Sequence, residues 1–322
     1  MISVEEVLVH LKPTLEALEK QRLASAQQQK RITSIAFPVI AVLILIGLLL
    51  LQSSYAFCAF ILAGVSGIAA LIWYGVTVSP QKREYVHTYK SRVTDAILQQ
   101  VDPNLHYSMA RGISRDAFTQ SELYQRPDRY KTEDLVSGKM GATQVCFAEV
   151  KAEERRETTD SKGDRKVSYH TIFNGVLFQA DFNKEFSGRT FVMPDRAEKT
   201  FGRLGRKLQK LGGQRKTSLA LMDSPEFEER FAVYTSDEVE CRYLLSPALM
   251  ERILALNLGE IRLGFKDSLL WIAVPLSRSY LEPSHRTPAT SPHQIKSFAN
   301  DLICFLSIVE LLDLNTRIWS KK

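Results

Sequence analysis

The residues best placed for chemistry are the basic ones of DRAEKTFGRLGRKLQKLGGQRK, residues 195–216. The stretch carries eight basic and two acidic side chains, a local +6 that equals the net charge of the whole chain. At about 100° per residue, Arg196, Lys199, Arg203, Arg206, Lys207 and Lys210 fall within an arc of roughly 100° on a helix. Phe201, Leu204, Leu208 and Leu211 take a separate arc, so the segment reads as a basic amphipathic helix. Three chemistries fit it. One is a docked surface helix with solvated charges. The second is contact with anionic phospholipid or an acidic partner, where each cation near a leaflet contributes ~1 kcal/mol. The third is RNA, since Gly202-Arg203-Leu204-Gly205 has the GXXG form of a KH loop. That match lies within a helical pattern where a loop is required, which counts against nucleic acid.

Other chemistry is sparse. The chain has no G-x-x-x-x-G-K-[ST] phosphate loop, no G-x-G-x-x-G after a strand and no G-x-S-x-G elbow. Its six histidines are scattered; His285 and His293 share a Pro-rich loop without the carboxylate spacing of a metal site. Carboxylate pairs such as Glu228-Glu229 and Asp237-Glu238 fit solvated faces. No catalytic set, metal cluster or cofactor motif emerges, so a binding, scaffold or regulatory module is the leading expectation. The alternative is a membrane-bound enzyme whose site is assembled from residues distant in sequence. A cleft of convergent polar side chains would favour the enzyme, and a flat or basic surface the module.

The elements that must position any such surface begin in lipid. Ile32 to Gln81 is fifty residues without Asp, Glu, Lys or Arg, in a chain that is 24% charged. About 20 helical residues cross a bilayer core. Residues 32–51 and 55–78 supply two spans, with Gln52-Ser53-Ser54 as the polar turn between them. Lys30-Arg31 and Lys82-Arg83 flank the pair and the turn carries no charge, which predicts that both termini face the cytoplasm. Four widely spaced cysteines, one of them within the apolar run, fit a reducing compartment. Small residues Ala56, Ala59, Ala63, Gly67 and Ala70 recur at helical spacing in the second span. They predict close helix packing, either on the first span near Gly47 or in a homo-oligomer.

Outside the spans, residues 1–31 read as an amphipathic helix in which Pro13 predicts a kink or break. Residues 82–104 read as a juxtamembrane helix ended by Asp102-Pro103-Asn104. Residues 105–322 read as a cytoplasmic α+β domain of mainly antiparallel sheet. Residues 105–140 show little regularity. Strands are expected at Thr143–Val150 and Tyr169–Phe182 with an exposed charged loop between them, then at Thr190–Met193, Ser218–Met222, Arg230–Thr235, Val239–Tyr243, Ile261–Phe265 and Leu269–Val274. Ser246-Pro247 predicts a helix start, and a long last helix from Pro292 carries a continuous apolar stripe.

Phe227-Glu-Glu-Arg-Phe231, Val233-Tyr234-Thr-Ser-Asp237 and Glu240-Cys-Arg-Tyr243-Leu-Leu-Ser-Pro-Ala-Leu-Met-Glu-Arg252, with Phe173-Asn174-Gly175-Val176-Leu177-Phe178, resemble a known family. It is an uncharacterised bacterial family of two-pass membrane proteins carrying a domain of unknown function, family 3137. The resemblance spans roughly residues 80–315. It implies a bacterial inner-membrane protein and supplies no activity or catalytic residues. The partners expected on this footing are the bilayer, anionic phospholipid, a second copy of the chain or another membrane protein.

Overall fold

The computed structural model describes residues 4–50, 55–159, 165–182, 185–195 and 217–314. The chain is α+β and divides into two compact units. The first comprises Met1–Ala96 and Glu282–Phe298, the second Ile97–Leu281 and Ala299–Lys322.

The first unit is built on α1 (Val4–Leu49) and most of α2 (Tyr55–Val101). At 1.5 Å per residue, 46 residues make a helix of about 69 Å, more than twice a hydrocarbon core of about 30 Å. Each helix therefore joins an apolar stretch to a more polar one in a single run, without the breaks that the sequence suggested. Pro13 and Pro38 lie inside α1 and Pro80 inside α2. A proline removes one i→i−4 bond, and the flanking bonds and packing carry the helix past it. Leu11, Leu15, Leu18 and Ile32 of α1 are buried, as are Ala56, Ala59, Ala63, Val78, Tyr85, Tyr89 and Val93 of α2. At the base of the apolar part, the Gln81 amide donates to Gln28 Oε1 at 2.9 Å and Lys82 Nζ to Gln29 Oε1 at 2.7 Å.

The second unit is organised by one antiparallel sheet of nine strands. These are β1 (Leu105–Ser108), β2 (Arg129–Met140), β3 (Thr143–Thr159), β4 (Arg165–Asp181), β5 (Arg189–Pro194), β6 (Ser218–Ala220), β7 (Phe231–Thr235), β8 (Arg262–Lys266) and β9 (Leu269–Pro275). Their order is β1-β2-β3-β4-β9-β8-β5-β7-β6. Short helices α3 (Arg115–Gln120), α4 (Pro225–Arg230), α5 (Glu238–Leu244) and α6 (Pro247–Ala255) intervene, and α7 (Pro292–Leu311) follows the sheet.

Period-two alternation assigns each face. On β3, Ala148, Val150 and Ala152 join Phe173 and Leu177 of β4 and Trp271 and Ala273 of β9 in one core layer, closed by Ile113, Phe118 and Leu123. The other face carries Val145 and Phe147, with Phe178 stacked at 6.2 Å from Phe147. Phe305 of α7 caps it at 5.5 Å from the Phe147 ring. The sheet is thus buried on both faces at its centre.

Two local expectations are corrected. Val239–Tyr243 alternates like a strand but is the helix α5, because the Asp237 carboxylate caps it by accepting the Glu240 N–H at 3.0 Å. The segment 105–140 holds the twelve-residue β2, whose alternation is broken by a bulge between Glu133 and Val136.

Candidate functional site

The face that is apolar at Val145 and Phe147 turns polar two residues further along β3. Register sets Glu133 opposite Glu149, and Lys131 opposite Lys151, which is opposite Asn174. These residues floor an open cleft of about 560 Å³. Thr171 adds a hydroxyl, Thr132 borders the cleft while donating its own hydroxyl to Glu149 O at 2.9 Å, and Leu276, Ser277 and Ser279 of the segment following β9 form its wall. Among the described residues no histidine or cysteine lines the cleft. The wall is anchored by the motif Phe173-Asn174-Gly175. Asn174 O accepts the Leu276 N–H at 2.9 Å, and Asn174 Nδ2 donates to Leu276 O at 3.0 Å. Gly175, at φ 157°, lets the Val274 carbonyl approach: a Cβ there would lie 2.1 Å from that oxygen. The Glu149 carboxylate is oriented by the Tyr280 N–H, which it accepts at 2.8 Å. Burial pushes the Tyr280 phenol well above its ordinary range, so it stays neutral. The Cys146 thiol, behind the cleft on the same strand, is pushed up to about 11 by burial and is no nucleophile.

A second polar assembly lies within the first unit, where the Pro-rich segment 282–291 docks on α1 and α2. Arg22 Nη1 donates to His285 O at 3.1 Å, and the Glu19 carboxylate accepts the Ala289 N–H at 2.7 Å. Lys90, 2% exposed, pairs with Glu282 at 2.8 Å. The His285 ring lies 4.9 Å from Tyr85, and Tyr89 meets Phe298 edge-on at 5.2 Å. The Tyr85 and Tyr89 hydroxyls, His285 Nδ1 and Gln294 Nε2 are all buried and make no well-formed hydrogen bond among the described residues, although Gln294 lies close enough to both phenols to act on them. Burial raises both tyrosine phenols, with Gln294 opposing.

Burial holds His285 below the usual imidazole value, with Lys82 and Arg22 acting in the same direction and Glu282 against them. The docked segment therefore favours neutral His285. Above the ordinary pKa of ~6.5 the imidazole is neutral in both docked and released states and docking is at full strength. As pH falls below ~6.5 the released state takes up the proton first, so docking weakens until the docked pKa is passed. Limited proteolysis between Glu282 and Ser291 is expected to run faster at mildly acidic pH than at neutral pH. His285→Gln should flatten that dependence, and an unchanged pH profile would refute the assignment.

The residues singled out by sequence are placed as follows. Ala56, Ala59 and Ala63 are buried, while Gly67 and Ala70 are half-buried. They line α2 where it faces α1: a Cβ on Gly67 would sit 3.9 Å from Ile40, and one on Gly47 would sit 2.9 Å from the Phe60 ring. Gly47→Val is expected to push the two helices apart, read as reduced disulfide yield between cysteines introduced at Gln28 and Gln81. Arg196, Lys199, Arg203, Arg206, Lys207 and Lys210 lie outside the described residues. Among the described residues no group of three or more His, Cys, Asp or Glu is arranged to hold a metal ion.

The quoted signature turns out to carry fold instructions. Ser224 caps α4 through the Phe227 N–H, and Phe227 and Phe231 pack at 5.2 Å. The Glu240 carboxylate accepts the Ser187 and Gly188 N–H groups at 3.0 and 2.8 Å, tying α5 to the turn before β5. Ser246 caps α6 through the Leu249 N–H.

Comparison with known proteins agrees with the resemblance. The family model described as protein of unknown function (DUF3137) matches residues 171–314. No curated protein matches the chain. Among solved structures, the crystal structure of the mycobacterial trehalose monomycolate transport factor A, TtfA, is similar at 8% identity and a TM-score of 0.35. The match covers 69% of this chain and 96% of that one. A likeness at that level assigns no function.

Proposed function

We propose that this chain, whose residues 171–314 belong to the DUF3137 family, is a two-pass inner-membrane protein that presents a binding or scaffold module to the cytoplasm. One observation carries the reading. α1 and α2 are long and apolar enough to cross a membrane, and their apolar side chains face outward. Phe37 is 79% exposed, Leu49 77%, Phe57 72% and Leu71 72%. Only 11% and 17% of the most apolar windows are buried, which no soluble core helix would tolerate and hydrocarbon would stabilise. Cations flank the pair at Lys30-Arg31 and Lys82-Arg83, so the positive-inside rule puts both termini in the cytoplasm. The basic segment 196–211 then meets the anionic inner leaflet.

Reporter fusions test the topology. Alkaline phosphatase is expected to be active when inserted between Gln52 and Ser54 and inactive after Lys322, with a fluorescent protein giving the reverse. Leaflet contact is tested in the full chain reconstituted in nanodiscs. Protection of Arg203, Arg206, Lys207 and Lys210 from trypsin should rise when phosphatidylglycerol replaces phosphatidylcholine. Equal cleavage in both lipids would end the lipid assignment while leaving the topology intact.

A further inference from the structure

We infer that the open cleft floored by β2, β3 and β4 binds a small zwitterionic phosphoester, with phosphoethanolamine as its chemical prototype. The inference stands apart from the membrane reading, since every residue it uses belongs to the second unit.

It starts from register. Side chains directly opposite on paired strands are near neighbours, and opposite charges are the stabilising arrangement. This sheet does the reverse twice. Lys131 stands opposite Lys151, and two residues along, Glu133 stands opposite Glu149. All four line the same cleft. A shift of two residues in pairing would have set lysine against glutamate, so the arrangement keeps the charges sorted into a cationic row and an anionic row. The rows lie roughly 7 Å apart along the strands. Such a layout is self-repelling within each row and complementary to a ligand that carries an anion and a cation a few bonds apart.

The remaining chemistry fits that ligand. Two lysines at directly paired strand positions can both reach a phosphate, whose oxygens accept charge-assisted hydrogen bonds. Paired carboxylates suit a primary ammonium. Lys151 already lies 3.1 Å from Glu153, and Glu149 is held by the Tyr280 N–H at 2.8 Å. The Tyr280 contact holds Glu149 in place at the cleft floor, while the half-exposed Lys151 stays free to turn toward a ligand. Ser277 and Thr171 supply hydroxyls at its border. The volume, about 560 Å³, lies within the range of small-ligand sites. A bare dianion would meet the glutamate row and a bare amine the lysine row, so neither fragment satisfies both.

The full chain in neutral detergent, titrated calorimetrically, tests this. Phosphoethanolamine is expected to bind at least tenfold more tightly than inorganic phosphate or ethanolamine. Lys131→Ala with Lys151→Ala should weaken it at least tenfold. Glu133→Gln should narrow its advantage over inorganic phosphate. Both lysines are exposed, and circular dichroism should report these variants folded. Competition by short-chain phosphatidylethanolamine would make a lipid headgroup the source, and competition by free phosphoethanolamine alone would make it a soluble phosphoester. Absence of saturable binding, equal binding of inorganic phosphate, or full binding by the folded lysine double variant would each overturn the inference.

Discussion

Gly175→Ala is expected to lower the stability of the sheet unit by about 3 kcal/mol or more. The reason is local and has two parts. Gly175 sits at φ 157°, in a region that L side chains rarely adopt, and a Cβ would lie 2.1 Å from the Val274 carbonyl oxygen and 2.8 Å from the Leu276 N. Both contacts are backbone atoms, so no side chain can swing away. Relief requires β4 and β9 to separate where Gly175 pairs with Pro275. That would also pull Leu276 from its two hydrogen bonds to Asn174 and open the wall of the cleft. The consequence is double. In a thermal melt of the full chain in detergent, the sheet transition should fall by roughly 6–12 °C, using about 2–4 °C per kcal/mol for a unit of this size. Binding at the cleft should weaken even at temperatures where the variant is folded. A variant that melts with the parent chain would show that the β4–β9 approach is looser than the geometry requires.

That glycine lies within Phe173-Asn174-Gly175-Val176-Leu177-Phe178, and it shows what the sequence could and could not disclose. The alternation of Val145, Phe147 and Val150 and of Ile172, Val176 and Phe178 located the central hairpin, because each parity must satisfy a buried face. It stopped short of the true ends. Beyond Ala152 the paired strands run on to Thr159 and Arg165, but there, Val167 and Tyr169 apart, the side chains on both faces are charged or polar and mimic a loop. The bulge in β2 erased its period in the same way. α5 was hidden for the opposite reason: Val239, Cys241 and Tyr243 alternate like a strand, and only the Asp237 cap decides against it. The two long apolar helices were plain because absence of charge over fifty residues is a signal no short-range rule can counterfeit.

The cleft was illegible for a different physical reason. Lys131, Glu149, Asn174 and Ser277 come from four segments, and each alone looks like a solvated surface position. Only the pairing register, a long-range property, makes neighbours of like charges. The docking of segment 282–291 is similar. Its prolines announced a loop, but its anchors, such as Arg22 on His285 O, join residues 263 apart in the chain. Conversely, the signature that drew attention at 227–253 is occupied by caps and core aromatics. Sequence distinctiveness there marks the demands of folding, and the recognition chemistry lies elsewhere on the sheet.

Phe147→Ala is the second large effect, expected to cost about 3–5 kcal/mol, the range for truncating a buried phenylalanine. Phe147 is fully buried on β3 and gathers three rings: Phe178 at 6.2 Å, Phe305 at 5.5 Å and Tyr280 edge-on at 6.4 Å. Tyr280 and Phe305 themselves meet at 90° and 5.3 Å, so the cluster clasps α7 and the segment after β9 to one face of the sheet. Removing the central ring leaves a cavity with rigid walls, since β3 is pinned between β2 and β4 on either side. The loss should propagate along the strand. Glu149, two residues on, holds the Tyr280 N–H, and a Tyr280 that settles into the cavity would release that carboxylate. The expected result is a lower melting temperature together with faster amide exchange at Tyr280. Phe57→Ala provides the contrast. Phe57 is 72% exposed on α2, so its truncation should leave the sheet transition unchanged. Equal destabilisation by the two substitutions would mean that the ring cluster is not what fastens α7 to the sheet.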